Sequence, residues 1–326
     1  METLLKGTQA YRLLEKDCRE NTFSHAYLLQ FEDRKNLKIA LKAFAKLFFM
    51  EEISQDSGRI ERLIDKESFS DCLFFPSEGK KLSVEDAERI KEESLLSPLE
   101  SQRKLFVLGD FSEANAQTQN KLLKLLEEPP ENVVFLLGAT TSFSVLTTVL
   151  SRTKKLEILP FSMEEVTACL ARIYKDEYTM DALKLCSATS GGIVGEAQNV
   201  LEGGYYKALL DGAFDLALSD EHRLGQVVKT VGETKYKKEL LSLLRLIFRD
   251  GLMVKMNAQP YRGSVLLGLE KVRLQEVAKK YSLSALLHAQ EVISEAELQT
   301  QFNAVFPQCI EVCITKIRKD FVTSLG

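Results

Sequence analysis

Arg152 stands in the run Leu150-Ser151-Arg152-Thr153-Lys154-Lys155, just past one apolar stretch and just before another short extended one. A planar, permanently charged guanidinium can grip phosphate or carboxylate oxygens at two points. From spacing alone, Arg152 reads as an ordinary surface salt-bridge arginine. Asp110 closes the apolar run Leu105-Phe106-Val107-Leu108-Gly109, in the form of a strand ending in a magnesium-holding acid. Phe111 and Ser112 follow where further acids would be needed, so capping or turn formation is its expected role. A nucleotide-binding α/β domain carries Gly-x-x-x-x-Gly-Lys-Ser/Thr at its first strand-to-helix turn, where backbone amides wrap the phosphates. Here that turn reads Gln30-Phe31-Glu32-Asp33-Arg34-Lys35-Asn36. It has no glycine, and Glu32 and Asp33 are expected to repel phosphate. Metal chemistry has equally little to work with. The three histidines (His25, His222, His288) are far apart, and the six cysteines form no Cys-x-x-Cys. Cys309 and Cys313 share a helix face with Ile310, Ile314 and Ile317 and read as small core residues. His25 reads as a packed residue rather than a base. Neither a metal nor a cofactor is expected.

The elements that must position these residues alternate between two periods over the first 160 residues. A helical pattern over 4–18 leads into the extended run Ala26-Tyr27-Leu28-Leu29, and a helix follows from Leu37 to Met50. Phe74-Phe75, Leu105–Leu108 and Val133–Leu137 are further short apolar runs, with helical patterns at 83–97 and 115–128 between them. Strands alternating with helices of this length predict a parallel sheet covered on both faces. Beyond Pro160 the chain reads as short helical pieces with one Ser190-Gly191-Gly192 turn, then as long amphipathic helices near 236–256, 264–280 and 283–303, punctuated by Pro260 and Pro307. Three domains are expected, at 1–160, 161–205 and 206–326. The chain holds 43 Lys+Arg against 47 Asp+Glu, a net charge of −4, which argues against gripping nucleic acid or membrane through bulk positive charge. No run approaches the roughly 18 apolar residues of a membrane helix, and the opening METLLKGTQAYRLLEK has no signal-peptide core. A soluble cytoplasmic protein is expected.

Residues 115–160 narrow the reading. The helix Asn120-Lys121-Leu122-Leu123-Lys124-Leu125-Leu126-Glu127-Glu128-Pro129-Pro130, the strand Val133–Leu137 and then Ser151-Arg152-Thr153 resemble the clamp-loader family of AAA+ proteins. In that family a helix ending N-x-L-L-K-x-L-E-E-P-P precedes the sensor-1 strand and an S-R-C motif. Ser24–Leu29 looks like its first strand, Phe74–Lys80 like its second strand and turn, and Leu159-Pro160-Phe161 like its entry into the lid. The likeness covers about residues 20–200. It implies an α/β AAA+-like domain, a small helical lid and an all-α collar through which subunits assemble. It also implies that Arg152, with Ser151, is an arginine finger acting in trans on the ATP site of a neighbouring subunit. The partners it implies are ATPase subunits of the gamma/tau type and a delta subunit in a five-subunit ring, with the sliding clamp and primed DNA reached through the assembled complex. Departures matter too. Thr153 replaces the usual Cys, Thr147 replaces a Pro, and the four-cysteine zinc module is missing between the first helix and second strand. Thr140 occupies the sensor-1 position with no phosphate loop to serve, and Ile193-Val194-Gly195-Glu196 lacks the sensor-2 arginine. The resemblance thus points to a non-hydrolysing subunit. The other readings are an active gamma/tau-type ATPase, the clamp-opening delta subunit, or a helical scaffold unrelated to replication.

Overall fold

Short runs of aromatic and β-branched residues become a single parallel sheet, because the helices between them give each strand time to cross over. The strands are β1 (Ala26–Phe31), β2 (Cys72–Phe75), β3 (Lys104–Asp110), β4 (Val133–Ala139) and β5 (Lys154–Ile158), in the order β2-β3-β4-β1-β5. All pair in parallel; Ala26 lies opposite Phe135 and Tyr27 opposite Lys154. In the computed structural model, which describes residues 1–56, 58–76, 80–258, 265–302 and 304–319, the chain forms two units, Met1–Phe161 and Ser162–Gly326.

In the first unit the helices are α1 (Glu2–Lys6), α2 (Gln9–Arg19), α3 (Leu37–Ala45), α4 (Met50–Gln55), α5 (Arg59–Asp65), α6 (Val84–Ser94), α7 (Ala116–Glu127) and α8 (Thr147–Leu150). Alternation along the strands feeds two cores. Tyr27, Leu29, Leu105, Val107 and Leu136 face one side of the sheet with α1–α3, while Leu28, Phe106, Leu108, Phe135 and Leu137 face the other with α6 and α7. Every residue of β4 is buried, as a central strand of a doubly covered sheet requires. The edge strand β5 buries only Leu156 and Ile158 and turns Lys155 and Glu157 outward, charges that blunt an exposed edge.

Local chemistry sets the helix starts. Ser83 and Asp86 form a reciprocal capping box at α6, and the Asn115 side chain accepts the Thr118 amide at 2.8 Å to start α7. The single helix expected over 4–18 is two: Gly7 ends α1, and Thr8 caps α2 by accepting the Tyr11 amide. Helix α5 was not foreseen, since it buries only Ile60 and Ile64.

The second unit is helical among its described residues: α9 (Met163–Tyr174), α10 (Met180–Thr189), α11 (Val194–Glu202), α12 (Tyr206–Leu218), α13 (Glu221–Val231), α14 (Lys237–Lys255), α15 (Val265–Leu269), α16 (Lys271–Lys280), α17 (Leu283–Gln301) and α18 (Phe306–Lys319). Lys280 Nζ and Arg318 Nη2 donate to carbonyls of Leu218 and Ser219, each at 2.5 Å, placing two cations at the negative end of α12. Pro307 sits in the first turn of α18, whereas Pro260 lies outside the described residues. Cys309 and Cys313 are buried in the core, as their spacing predicts. Among the described residues no helix is long and apolar enough to cross a membrane.

Candidate functional site

The carboxyl ends of the strands, where open α/β sheets receive ligands, hold the first group of candidate residues. An extra residue at Gly109 interrupts the β3–β4 register, so that Asp110 comes to lie opposite Gly138. This swing brings the Asp110 carboxylate to Thr140 at the end of β4. Asp110 Oδ2 accepts the Thr140 hydroxyl at 2.7 Å, and Oδ1 accepts the amides of Thr140 and Ser112, both at 3.2 Å. The Ser112 hydroxyl bonds to Oδ1 as well. Asp110 thus caps the following turn, the role expected from sequence. It also holds the sensor-1-like threonine, which the sequence did not predict.

The turn after β1 has its own arrangement. Asp33 is only 1% exposed; its carboxylate accepts the Asn36 amide at 3.1 Å and the Asn36 side chain at 2.8 Å. The expectation that Glu32 and Asp33 would both face and repel a phosphate is corrected for Asp33, which turns inward to close the loop onto α3. Arg34 reaches across instead, pairing with Glu113 and lying 3.8 Å from Asp110. A groove of about 460 Å³ lies here, lined by Arg34, Lys38, Phe74, Pro76, Asp110 and Glu113. Several of its charges are engaged: Lys81 lies 3.7 Å from Glu113, and Lys38 bonds Glu67, outside the groove, at 2.7 Å. Residues 77–79 of the second-strand turn lie outside the described residues.

Arg152 occupies the second group. It follows α8, and its Nη1 donates to the Thr148 carbonyl at 2.8 Å and to Ser151 Oγ at 3.1 Å, while Nη2 pairs with Glu127 at the end of α7. The side chain remains 33% exposed. Thr153 donates its hydroxyl back to the Val149 carbonyl at 3.2 Å, so the threonine found in place of cysteine ties off the same short helix. A shallow groove beside Arg152 is bordered by Ser24, His25, Glu127, Ser151 and Lys154. His25 is exposed at this border rather than packed. Its backbone, not its ring, serves the fold: the carbonyl accepts the Phe135 amide at 2.9 Å. Lys154 is held at 2.5 Å by Asp17, which also accepts the buried Tyr27 hydroxyl at 2.9 Å.

One residue joins the two groups, and no motif pointed to it. Gln119, 1% exposed on α7, donates to the carbonyls of Ala114 and Ser144 and accepts the Leu146 amide, each at 2.9 Å. Ser144 in turn donates its hydroxyl to the Ser112 carbonyl at 2.7 Å. The segment leading into α8 and Arg152 is thereby fastened both to α7 and to the turn that Asp110 caps. Among the described residues, no cluster of His, Cys, Asp and Glu could hold a metal ion.

The first unit thus combines a five-stranded parallel sheet, an acid and a threonine at its strand ends, and a Ser-Arg pair ahead of the last strand. Comparison with known proteins finds the following likenesses. Residues 6–162 match the family model described as "DNA polymerase III, delta subunit". DNA polymerase III subunit gamma of Buchnera aphidicola is 27% identical over 142 residues, 43% of this chain and 38% of that one. Subunit tau of Bacillus subtilis is 23% identical over 94% of this chain and 59% of its own, and subunit delta' of the same organism is 26% identical over 48% of each. Among solved structures, a gamma subunit-related protein from Thermotoga maritima is 18% identical, covering 94% of this chain and 98% of that one with a TM-score of 0.42. The sequence matches are thus to DNA polymerase III subunits of the gamma, tau and delta' kinds. The chain spans between 38% and 59% of the length of these curated relatives.

Proposed function

We propose that the chain is a delta-prime-like subunit: it hydrolyses no ATP itself and lends Arg152 in trans to the ATP site of a neighbouring subunit. The observation that carries this reading is the combination, in one unit, of an exposed Ser151 beside a half-buried Arg152 and a strand-end site whose acid and arginine are already engaged. Asp110 is taken by Thr140 and Ser112, and Arg34 with Glu113 stands where phosphates would need glycine amides. In this role the chain needs no cofactor of its own. It works in the cytoplasm within a five-subunit ring of gamma/tau-type ATPases and a delta subunit, which opens the sliding clamp at primed DNA. Residues 161–205 act as the lid and 206–326 as the collar. Leu283, Leu287, Leu298 and Phe302, on or just beyond α17, are exposed apolar residues of the kind a collar contact would cover.

The reaction assisted is transfer of the γ-phosphoryl group to water. Charge develops on the phosphoryl oxygens, and a guanidinium brought from outside stabilises it; such fingers contribute about 10³–10⁵ in rate. The test is to reconstitute the ring with Arg152→Ala and follow clamp- and DNA-stimulated hydrolysis at the adjacent site. A fall of about 10³ is expected, and Arg152→Lys should not restore it, because an ammonium lacks the planar fork. Unchanged hydrolysis with Arg152→Ala sinks the assignment.

The matches to gamma and tau subunits favour a second reading, an active ATPase. It predicts saturable binding of labelled ATP-γ-S by the isolated chain, where the proposed reading predicts none.

A further inference from the structure

Helix α7 ends in a carboxylate, Glu127, at the end where the helix's own unpaired carbonyls oppose negative charge. Its compensation is Arg152, the cation with which it pairs among the described residues. The two residues are 25 apart in sequence and are brought together by Gln119, which pins the segment before α8 to α7. Pro129-Pro130 fixes the chain just beyond Glu127.

The guanidinium's hydrogen bonds are unevenly committed. Both donations from Nη1 stay within its own turn, to Thr148 and Ser151. The outward Nη2 belongs to Glu127. A two-point grip on a phosphate needs either the Nη1–Nη2 or the Nε–Nη2 edge, and Nη2 is common to both. A phosphate oxygen and the Glu127 carboxylate therefore want the same donor. We propose that Glu127 is a positioning residue that holds Arg152 as a stand-in anion, and that the finger engages by exchanging Glu127 for the neighbour's phosphate oxygen. This rests on the finger reading of Arg152 given above. The exchange moves no proton and breaks no covalent bond; one ion pair replaces another on the same nitrogen.

Both partners are about one-third or more exposed, Arg152 at 33% and Glu127 at 42%, so the pair has the strength of a surface ion pair and can be displaced by a doubly charged phosphate. Removing the charge of Glu127 should make Arg152 more available. A merely structural partner behaves in the opposite way, since its loss would slacken Arg152 and slow the reaction.

The experiment uses the reconstituted ring and reads kcat/KM for ATP under clamp and primed-DNA stimulation. Glu127→Gln is expected to raise kcat/KM two- to fivefold, about 0.4–1 kcal/mol at 1.4 kcal/mol per decade. The gain should shrink as salt rises, and Glu127→Asp, which keeps the charge, should stay near the parent. In an Arg152→Ala background Glu127→Gln should have no further effect, because its action passes through the arginine. A fall or no change with Glu127→Gln, while Arg152→Ala still slows hydrolysis, overturns the exchange but leaves the finger standing. Unchanged hydrolysis with Arg152→Ala overturns both.

Discussion

At the scale of single residues, Gln119 shows what the sequence held and did not show. Its amide uses both ends: two carbonyls accept from it and one amide donates to it, all in a setting where Gln119 is 1% exposed. Truncation leaves those three backbone groups in need of new partners. Gln119→Ala is expected to lower stability by about 2–3 kcal/mol, read from the urea midpoint at constant slope; a change below about 0.5 kcal/mol would mean water replaces the amide. Arg152 and Asp110 could be singled out from sequence because their flanking runs mark them. Gln119 could not, since a glutamine inside Ala116-Gln117-Thr118-Gln119-Asn120 looks like one polar residue among several. The Glu127–Arg152 pair and the Arg34–Glu113 pair were hidden for a related reason: each joins residues separated by several elements, and no local periodicity reports such a meeting. His25 was misread because an apolar run follows it, although the burial begins only at Ala26.

At the scale of elements, the strands were the most legible feature. Four of the five had been marked as uninterrupted apolar runs, and the fifth, β5, as a short strand after Arg152; a doubly covered sheet leaves little room for anything but apolar side chains. The small helices α1 and α5 were less so, because each buries only one or two apolar side chains and ion pairs between them supply the rest. Lys46, just after α3, reaches Glu2 of α1 at 2.9 Å and Glu61 and Asp65 of α5 at 3.1 and 2.9 Å. Burial works against the charge of Lys46, but its bonds to Glu2, Asp65 and Glu61 prevail and raise its pKa. The bond to Lys46 holds Glu2 below its ordinary 4.5, against the effect of burial. The signs follow. A depressed carboxyl contributes stability that is present above 4.5 and lost as pH falls through its lower folded value. A raised lysine contributes stability that is present below 10.5 and lost only as pH rises through its folded value. The urea midpoint should therefore be flat in this respect from about pH 5 to 9 and fall below about pH 4. Lys46→Met should lower stability by about 1 kcal/mol at pH 7, discounted because its partners are partly exposed, and should flatten the acid limb. An acid limb unchanged in Lys46→Met would assign the acid sensitivity to other carboxylates.

At the scale of the whole molecule, the alternation of periods pointed to the α/β class and the helical remainder, and the 115–160 segment carried the resemblance to clamp loaders. The strand-end salt bridges lay beyond that reading, because they depend on how loops meet over the sheet. The two-unit division carries the remaining prediction. Both cores of the first unit are built only from residues up to Phe161, and every strand finds its neighbours there. A domain of this size buries about 68–70% of the surface of its unfolded chain, enough for independent stability. The fragment Met1–Phe161, expressed alone, is expected to show a mixed α/β circular dichroism spectrum and to unfold in one urea transition that coincides for circular dichroism and tyrosine fluorescence. A fragment that keeps its secondary structure but binds ANS and melts without cooperativity would mean that the sheet depends on the helical unit for its packing. The fold would then be a single cooperative body, in which the state of the helical unit bears directly on the sheet that carries Arg152.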